Sequence, residues 1–204
     1  MTEEKRIFVL DTSVFMAVDI REQDQGMIDA IDELLSQIEG ARDKGHEFYM
    51  PSTTFEEFRE IMEGKVDEDF LSRIDTSIET YGAPRHEERL PAETVYQFIE
   101  EMRKRIDRGL RESEKAIRKV PEAEEPDREH YSREDKVISE LRDNYREAMR
   151  KDIPDSGEDL DLLILSRHLD ATLVSEDRGV LNWAEKFGSE HLEGNRLPGV
   201  LENL

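Results

Sequence analysis

The chain contains no cysteine, which excludes disulfides, thiolate nucleophiles and cysteine-based zinc sites. Its five histidines, at 46, 86, 130, 168 and 191, show no HxxxH or HxH spacing, so a histidine-held metal is not expected. No apolar run approaches the ~20 residues that cross a bilayer. The opening "MTEEKRIFVLD" lacks the basic-then-apolar order of a signal peptide. No membrane partner is expected, and the expected location is the cytoplasm. Basic charge is scarce as well: 29 Lys and Arg stand against 51 Asp and Glu, a formal charge of −22. That balance opposes nonspecific binding of polyanions and destabilises the folded chain by self-repulsion unless salt screens it. With 20 Arg to 9 Lys and acids on every exposed helix face, the composition reads as a halophilic-type adaptation to a high-salt cytoplasm. Carboxylates and hydroxyls are what remain for chemistry.

The 204 residues suffice for one core and an elaborated insertion, and the 36% hydrophobic content is low but regularly spaced. "IFVLD" (7–11) has the look of a buried parallel strand ending in an acid. Residues 24–41 carry Ile28, Ile31, Leu35 and Ile38 at helical spacing, and "EFYMPS" (47–52) reads as a second strand. The helix after it opens with Thr53 and Glu56 at capping-box spacing and presents Phe55, Phe58, Ile61 and Met62 on one face. A further helix is expected over 67–80. "ATLVSED" (171–177) reads as another strand with acids at its end, followed by a helix through Val180, Leu181, Trp183, Ala184 and Phe187. Strands alternating with helices predict an α/β fold, a parallel sheet flanked by helices.

Between these halves, "YGAPRHEERLP" (81–91) breaks the alternation, and two helical segments follow at about 92–120 and 131–151. Val95, Ile99, Met102, Ile106, Leu110 and Ile117 form one apolar stripe; Ile138, Leu141, Tyr145 and Met149 form the other. The chain therefore divides into a discontinuous α/β domain, 1–85 with 152–204, and an inserted helical hairpin, 86–151. Lys104, Arg108, Arg111, Lys115 and Arg118 recur at 4, 3, 4, 3 and so share one helix face. Residues 103–119 sum to +5 within a chain of −22. That stripe is either a solvated amphipathic face or a contact for a polyanion.

"PDSGEDLDLLILS" (154–166) gathers Asp155, Glu158, Asp159 and Asp161 at the mouth of a helix. A helix dipole tolerates acids there, and Asp155 or Ser156 is a ready cap. A shared cation would also hold them together. Asp11 ends the first strand, Asp177 ends the "TLVSED" strand, and Glu56 and Glu57 lie one turn into the helix after the second strand. In open parallel sheets, ligands bind outside the strand C-termini, the edge where Asp11 and Asp177 are expected and to which the helix mouth would deliver Asp161 or Asp159. Carboxylates without His or Cys suit a hard cation, Mg²⁺ or in its place Mn²⁺, and the chemistry that follows is phosphodiester hydrolysis.

"FVLDTSVF", "PSTTFEEF", "DLDLLILS" and "TLVSED" resemble the four motifs of the PIN-domain nucleases, whose fold is a Rossmannoid parallel sheet. The resemblance matches the family acids to Asp11, Glu57, Asp161 and Asp177, with Thr12 and Ser13 at a small-hydroxyl position. A long hairpin between the second and third motifs, with extra acids in "DSGEDLD", is similar to the homologs of Aquifex RNase P. These are protein-only enzymes, without an RNA subunit, that remove the 5′ leader from precursor tRNA. The resemblance adds Asp155 and Asp159 to the active-site acids, so that Asp11, Asp155, Asp159, Asp161 and Asp177 are catalytic and Asp11, Glu57, Asp159, Asp161 and Asp177 hold metal. It also implies a large homo-oligomer built from dimers and a hairpin that contacts precursor tRNA. Two other readings compete. A toxin-like PIN ribonuclease cutting RNA internally needs no hairpin of ~60 residues, and a catalytically silent RNA-binding scaffold needs no complete acid set. A haloacid-dehalogenase-type phosphatase fits badly, since Ser13 stands where its second Asp belongs.

Overall fold

The computed structural model describes residues 5–17, 26–123, 131–150, 154 and 156–204. A five-stranded sheet forms from β1 (Ile7–Leu10), β2 (Glu47–Pro51), β3 (Glu79–Tyr81), β4 (Thr172–Ser175) and β5 (His191–Glu193). The order is β3-β2-β1-β4-β5, and every neighbouring pair is parallel. Parallel neighbours need crossovers, which the helices supply: α1 (Thr12–Met16), α2 (Met27–Asp43), α3 (Ser52–Met62), α4 (Glu68–Ser77), α7 (Gly157–His168), α8 (Arg178–Phe187) and α9 (Leu197–Leu201). Alternate strand residues serve opposite faces. Phe8, Leu10, Phe48, Met50 and Val174 join one core with Ile31, Leu35 and Ile38 of α2, Phe58 of α3, Ile74 of α4 and Leu197 of α9. α7 packs against β1, β2 and β4, and α8 against β4 and β5. α7 buries Leu162, Leu163, Ile164 and Leu165 in succession, because a helix lying against a sheet buries more than one stripe.

Contacts divide the chain into two compact units, residues 1–89 with 154–204 and residues 90–153. The second unit is a hairpin of α5 (Ala92–Lys119) and α6 (Arg133–Arg150). The apolar stripe of α5 is not what the hairpin buries. The buried positions of α5 are Thr94, Glu101, Arg105 and Gly109, while Val95, Ile99, Ile106, Leu110 and Ile117 are exposed. Gly109 permits a close approach: a Cβ there would stand 2.6 Å from Tyr145 Cε2.

Two local expectations are corrected, and one strand is added. No capping box forms at Thr53 and Glu56, because α3 already starts at Ser52, behind Pro51. The helix expected over 67–80 ends at Ser77, and Glu79–Tyr81 continue as edge strand β3. The second edge strand, β5, was not foreseen; its sequence, HLE, carries no apolar alternation.

Candidate active site

Because the strands are parallel, their C-terminal ends share one edge. The order reverses at β1, which makes the space outside β1 and β4 the natural crevice for a ligand. Asp11 leaves β1 there, and its backbone N–H donates to the Val174 carbonyl of β4 at 3.0 Å. Asp11 Oδ2 accepts two hydroxyls, Ser13 Oγ at 2.5 Å and Ser175 Oγ at 2.6 Å. Each hydroxyl is fixed in turn: the Glu176 N–H donates to Ser13 Oγ at 3.0 Å and the Asp177 N–H to Ser175 Oγ at 2.9 Å. A hydroxyl has one proton and two lone pairs, so both serines spend their proton on Asp11. Oδ1 accepts no bond among the described residues.

Asp11, Thr53, Thr54, Glu57, Ser156, Glu158, Asp159 and Leu162 line one cleft of about 350 Å³. The first of these follows β1, the next three belong to α3, and the rest are the cap and early turns of α7. Glu57 lines the cleft; Glu56, one residue earlier on the helix, does not. Ser156 caps α7, accepting the Asp159 N–H at 3.0 Å, which leaves the side chains of Glu158 and Asp159 in the first turn, where the helix dipole favours them.

Asp161 is 4% exposed and gripped by Arg85, Nε to Oδ1 at 2.7 Å and Nη2 to Oδ2 at 2.5 Å. Thr53 Oγ1 adds a third donor to Oδ2 at 3.3 Å. The hydrogen bonds to Asp161, and then its charge, hold the Arg85 guanidinium above its ordinary range. Asp177 caps α8, its Oδ1 accepting the N–H groups of Gly179 at 2.6 Å and Val180 at 3.2 Å. It does not line the cleft, and its N–H reaches Asp11 through Ser175. Asp155 lies outside the described residues. Among those described, no three acidic or histidine side chains form a ready-made ion cage. The side-chain donors of the cleft are nonetheless carboxylates and hydroxyls, without nitrogen or sulfur, and that set fits a hard divalent ion.

Sequence reasoning gave no role to Ser175, although it stood in the quoted "TLVSED", two residues before Asp177. Arg85 carried no signal at all, being one arginine in an irregular, proline-bounded segment. In the hairpin, the basic stripe is partly paired. Lys104 and Arg108 both meet Glu101, at 3.3 and 2.6 Å, and Lys115 meets Glu112 at 2.5 Å. Arg111 and Arg118 are exposed and make no ion pair among the described residues. Arg108, Arg111 and Lys115 line a groove of about 440 Å³ together with Asn144 and Glu147 of α6.

A profile of the PINc domain ribonucleases matches residues 7–204. Over 203 residues the chain is 43% identical to the RNA-free ribonuclease P of Haloarcula marismortui, covering 97% of this chain and 90% of that one. The chain is a PIN-domain endoribonuclease of the RNA-free ribonuclease P family. Other members stand nearly as near: that of Thermodesulfovibrio yellowstonii is 41% identical, covering 97% of this chain and 94% of its own. That of Thermococcus onnurineus is 38% identical with the same coverages. No helix among the described residues is long and apolar enough to cross a membrane.

Proposed function

We propose that this endoribonuclease removes the 5′ leader of precursor tRNA by metal-dependent hydrolysis, with Mg²⁺ as the ion and Mn²⁺ as its substitute. One observation carries the reading: Asp11, Glu57 and Asp159, from three separate elements, line a single cleft at the sheet's reversal point. Asp11, Glu57, Asp159, Asp161 and Asp177 would hold the ion, and Asp155 would join Asp11, Asp159, Asp161 and Asp177 in catalysis. When bound, the ion activates a water and neutralises charge developing on the phosphate and the leaving oxygen. The chain's own contribution is placement. Ser13 and Ser175 fix Asp11 through Oδ2 and so present Oδ1 at one orientation. Thr53, which lines the cleft, and Arg85 hold Asp161, which does not line it.

Such a site hydrolyses any phosphodiester it reaches, so selection of tRNA falls to binding. Lys104, Arg108, Arg111, Lys115 and Arg118 would contact phosphates of the folded tRNA, reading shape and leaving sequence unread. The exposed apolar stripe of α5 would be covered by further copies of the chain, giving a homo-oligomer built from dimers. Mapping the cut on 5′-labelled precursor tRNA, with Mg²⁺ or with EDTA, tests the proposal. One cut at the leader junction, present with Mg²⁺ and lost with EDTA, is expected. Cuts inside the mature tRNA would favour a toxin-like nuclease instead.

A further inference from the structure

We infer that Arg85 is the internal cation of the active site, neutralising Asp161 while no divalent ion is bound and giving up that carboxylate when one binds. The inference rests on the metal-dependent reading above and adds to it a residue that sets how tightly the metal is held. The pair is asymmetric. Asp161 is 4% exposed and built into α7, so its charge cannot turn to water and needs a partner where it stands. Arg85 is 56% exposed and belongs to the irregular segment that follows β3, outside any helix or strand. A guanidinium so placed can leave for solvent at little cost, whereas the carboxylate cannot follow it.

The fork of Arg85 takes both oxygens of Asp161, and Thr53, which lines the metal cleft, takes one of them again. An ion approaching Asp161 from the cleft therefore meets a carboxylate already in use. It also meets a like charge, for Arg85 is drawn by Glu158 of the same cleft as well as by Asp161. Ion and guanidinium compete for one site. The segment does not need the Arg85 bond to stay attached, since Glu88 accepts from Arg167 Nε at 2.9 Å and stands 3.5 Å from His168 Nδ1. Those contacts brace the segment on α7 from the other end of the helix, and they leave Arg85 free to exchange.

Calorimetric titration of Mn²⁺ into the full-length wild type, Arg85→Gln and Arg85→Lys tests this, with melting temperatures measured with and without the ion. Removing the competing charge should tighten Mn²⁺ binding by about tenfold in Arg85→Gln. The metal-free melting temperature of that variant should fall, because Asp161 loses its counter-charge, and saturating Mn²⁺ should restore it to the wild-type value. Arg85→Lys should lie between, keeping the charge but losing the two-point fork. Unchanged or weaker Mn²⁺ binding by Arg85→Gln, or a melting deficit that survives saturating Mn²⁺, would make Arg85 a fixed strut and overturn the inference. If neither the wild type nor the variants bind Mn²⁺, the metal-dependent reading falls and this inference falls with it.

Discussion

A single carboxylate oxygen organises much of the site. Asp11 Oδ2 takes two hydroxyl protons, and the serines that give them are held by the consecutive N–H groups of Glu176 and Asp177. Ser175→Ala removes one of those donors and leaves the Asp177 N–H without its acceptor. Loss of such a supporting bond should lower cleavage 10- to 100-fold while the melting temperature changes little, as a single-turnover assay beside a thermal melt would read. A wild-type rate in that variant would show that Asp11 needs no such clamp. The positions of the acids were legible because each has a geometric meaning: Asp11 after a buried strand and Glu57 and Asp159 in early helix turns share the cleft, whereas Asp177, also after a buried strand, caps α8 outside it. The serines were harder to assign, since small hydroxyl residues serve equally as caps and turns. Arg85 was beyond reach, because an irregular segment has no period from which the direction of a side chain could be read.

At the level of elements, Asp177 has two roles that substitution can separate. It caps α8 through Gly179 and Val180, and in the proposed reaction it supplies charge. Asp177→Ala should cost about 1 kcal/mol of stability from the lost cap, whereas Asp177→Asn should keep most of it; both should lose cleavage. Thermal melts set against initial rates distinguish the two effects. The hairpin calls for similar care. Glu101 is buried and balances Lys104 and Arg108, so neutralising those two would strand its charge. Changing Arg111, Lys115 and Arg118 to Gln together avoids that. The triple variant should raise KM and flatten the salt dependence of tRNA binding with kcat largely kept, as filter binding across a KCl series and steady-state kinetics would report. The helices were legible from their 3.6-residue spacing, but what each face would meet was not. The apolar stripe of α5 was clear in the sequence and stands exposed, but that the helix would bury Thr94, Glu101, Arg105 and Gly109 was not. β3 and β5 escaped because a three-residue edge strand is defined by its neighbour's hydrogen bonds, not by its own pattern.

The whole molecule carries −22 while its hairpin helix carries a local excess of positive charge. Self-repulsion of that size should make stability rise with salt, so refolding midpoints should climb from dilute buffer to molar KCl; a flat or falling series would remove the halophilic reading. Replacing residues 92–150 by a short linker should reduce the number of protomers per particle by light scattering, and an unchanged number would remove the hairpin from assembly. The central claim, that a carboxylate cleft centred on Asp11 performs metal-dependent removal of the tRNA leader, is tested most directly by one kinetic comparison. Single-turnover cleavage of 5′-labelled precursor tRNA is followed across a Mg²⁺ titration for the wild type and for Asp11→Asn. The wild type should rise from no cleavage to a plateau, with the cut at the leader junction. Asp11→Asn should stay at least about a hundredfold lower even at saturating Mg²⁺, while melting at or above the wild-type temperature in metal-free buffer. A wild-type plateau in Asp11→Asn, or full cleavage by the wild type without any divalent ion, would contradict the account.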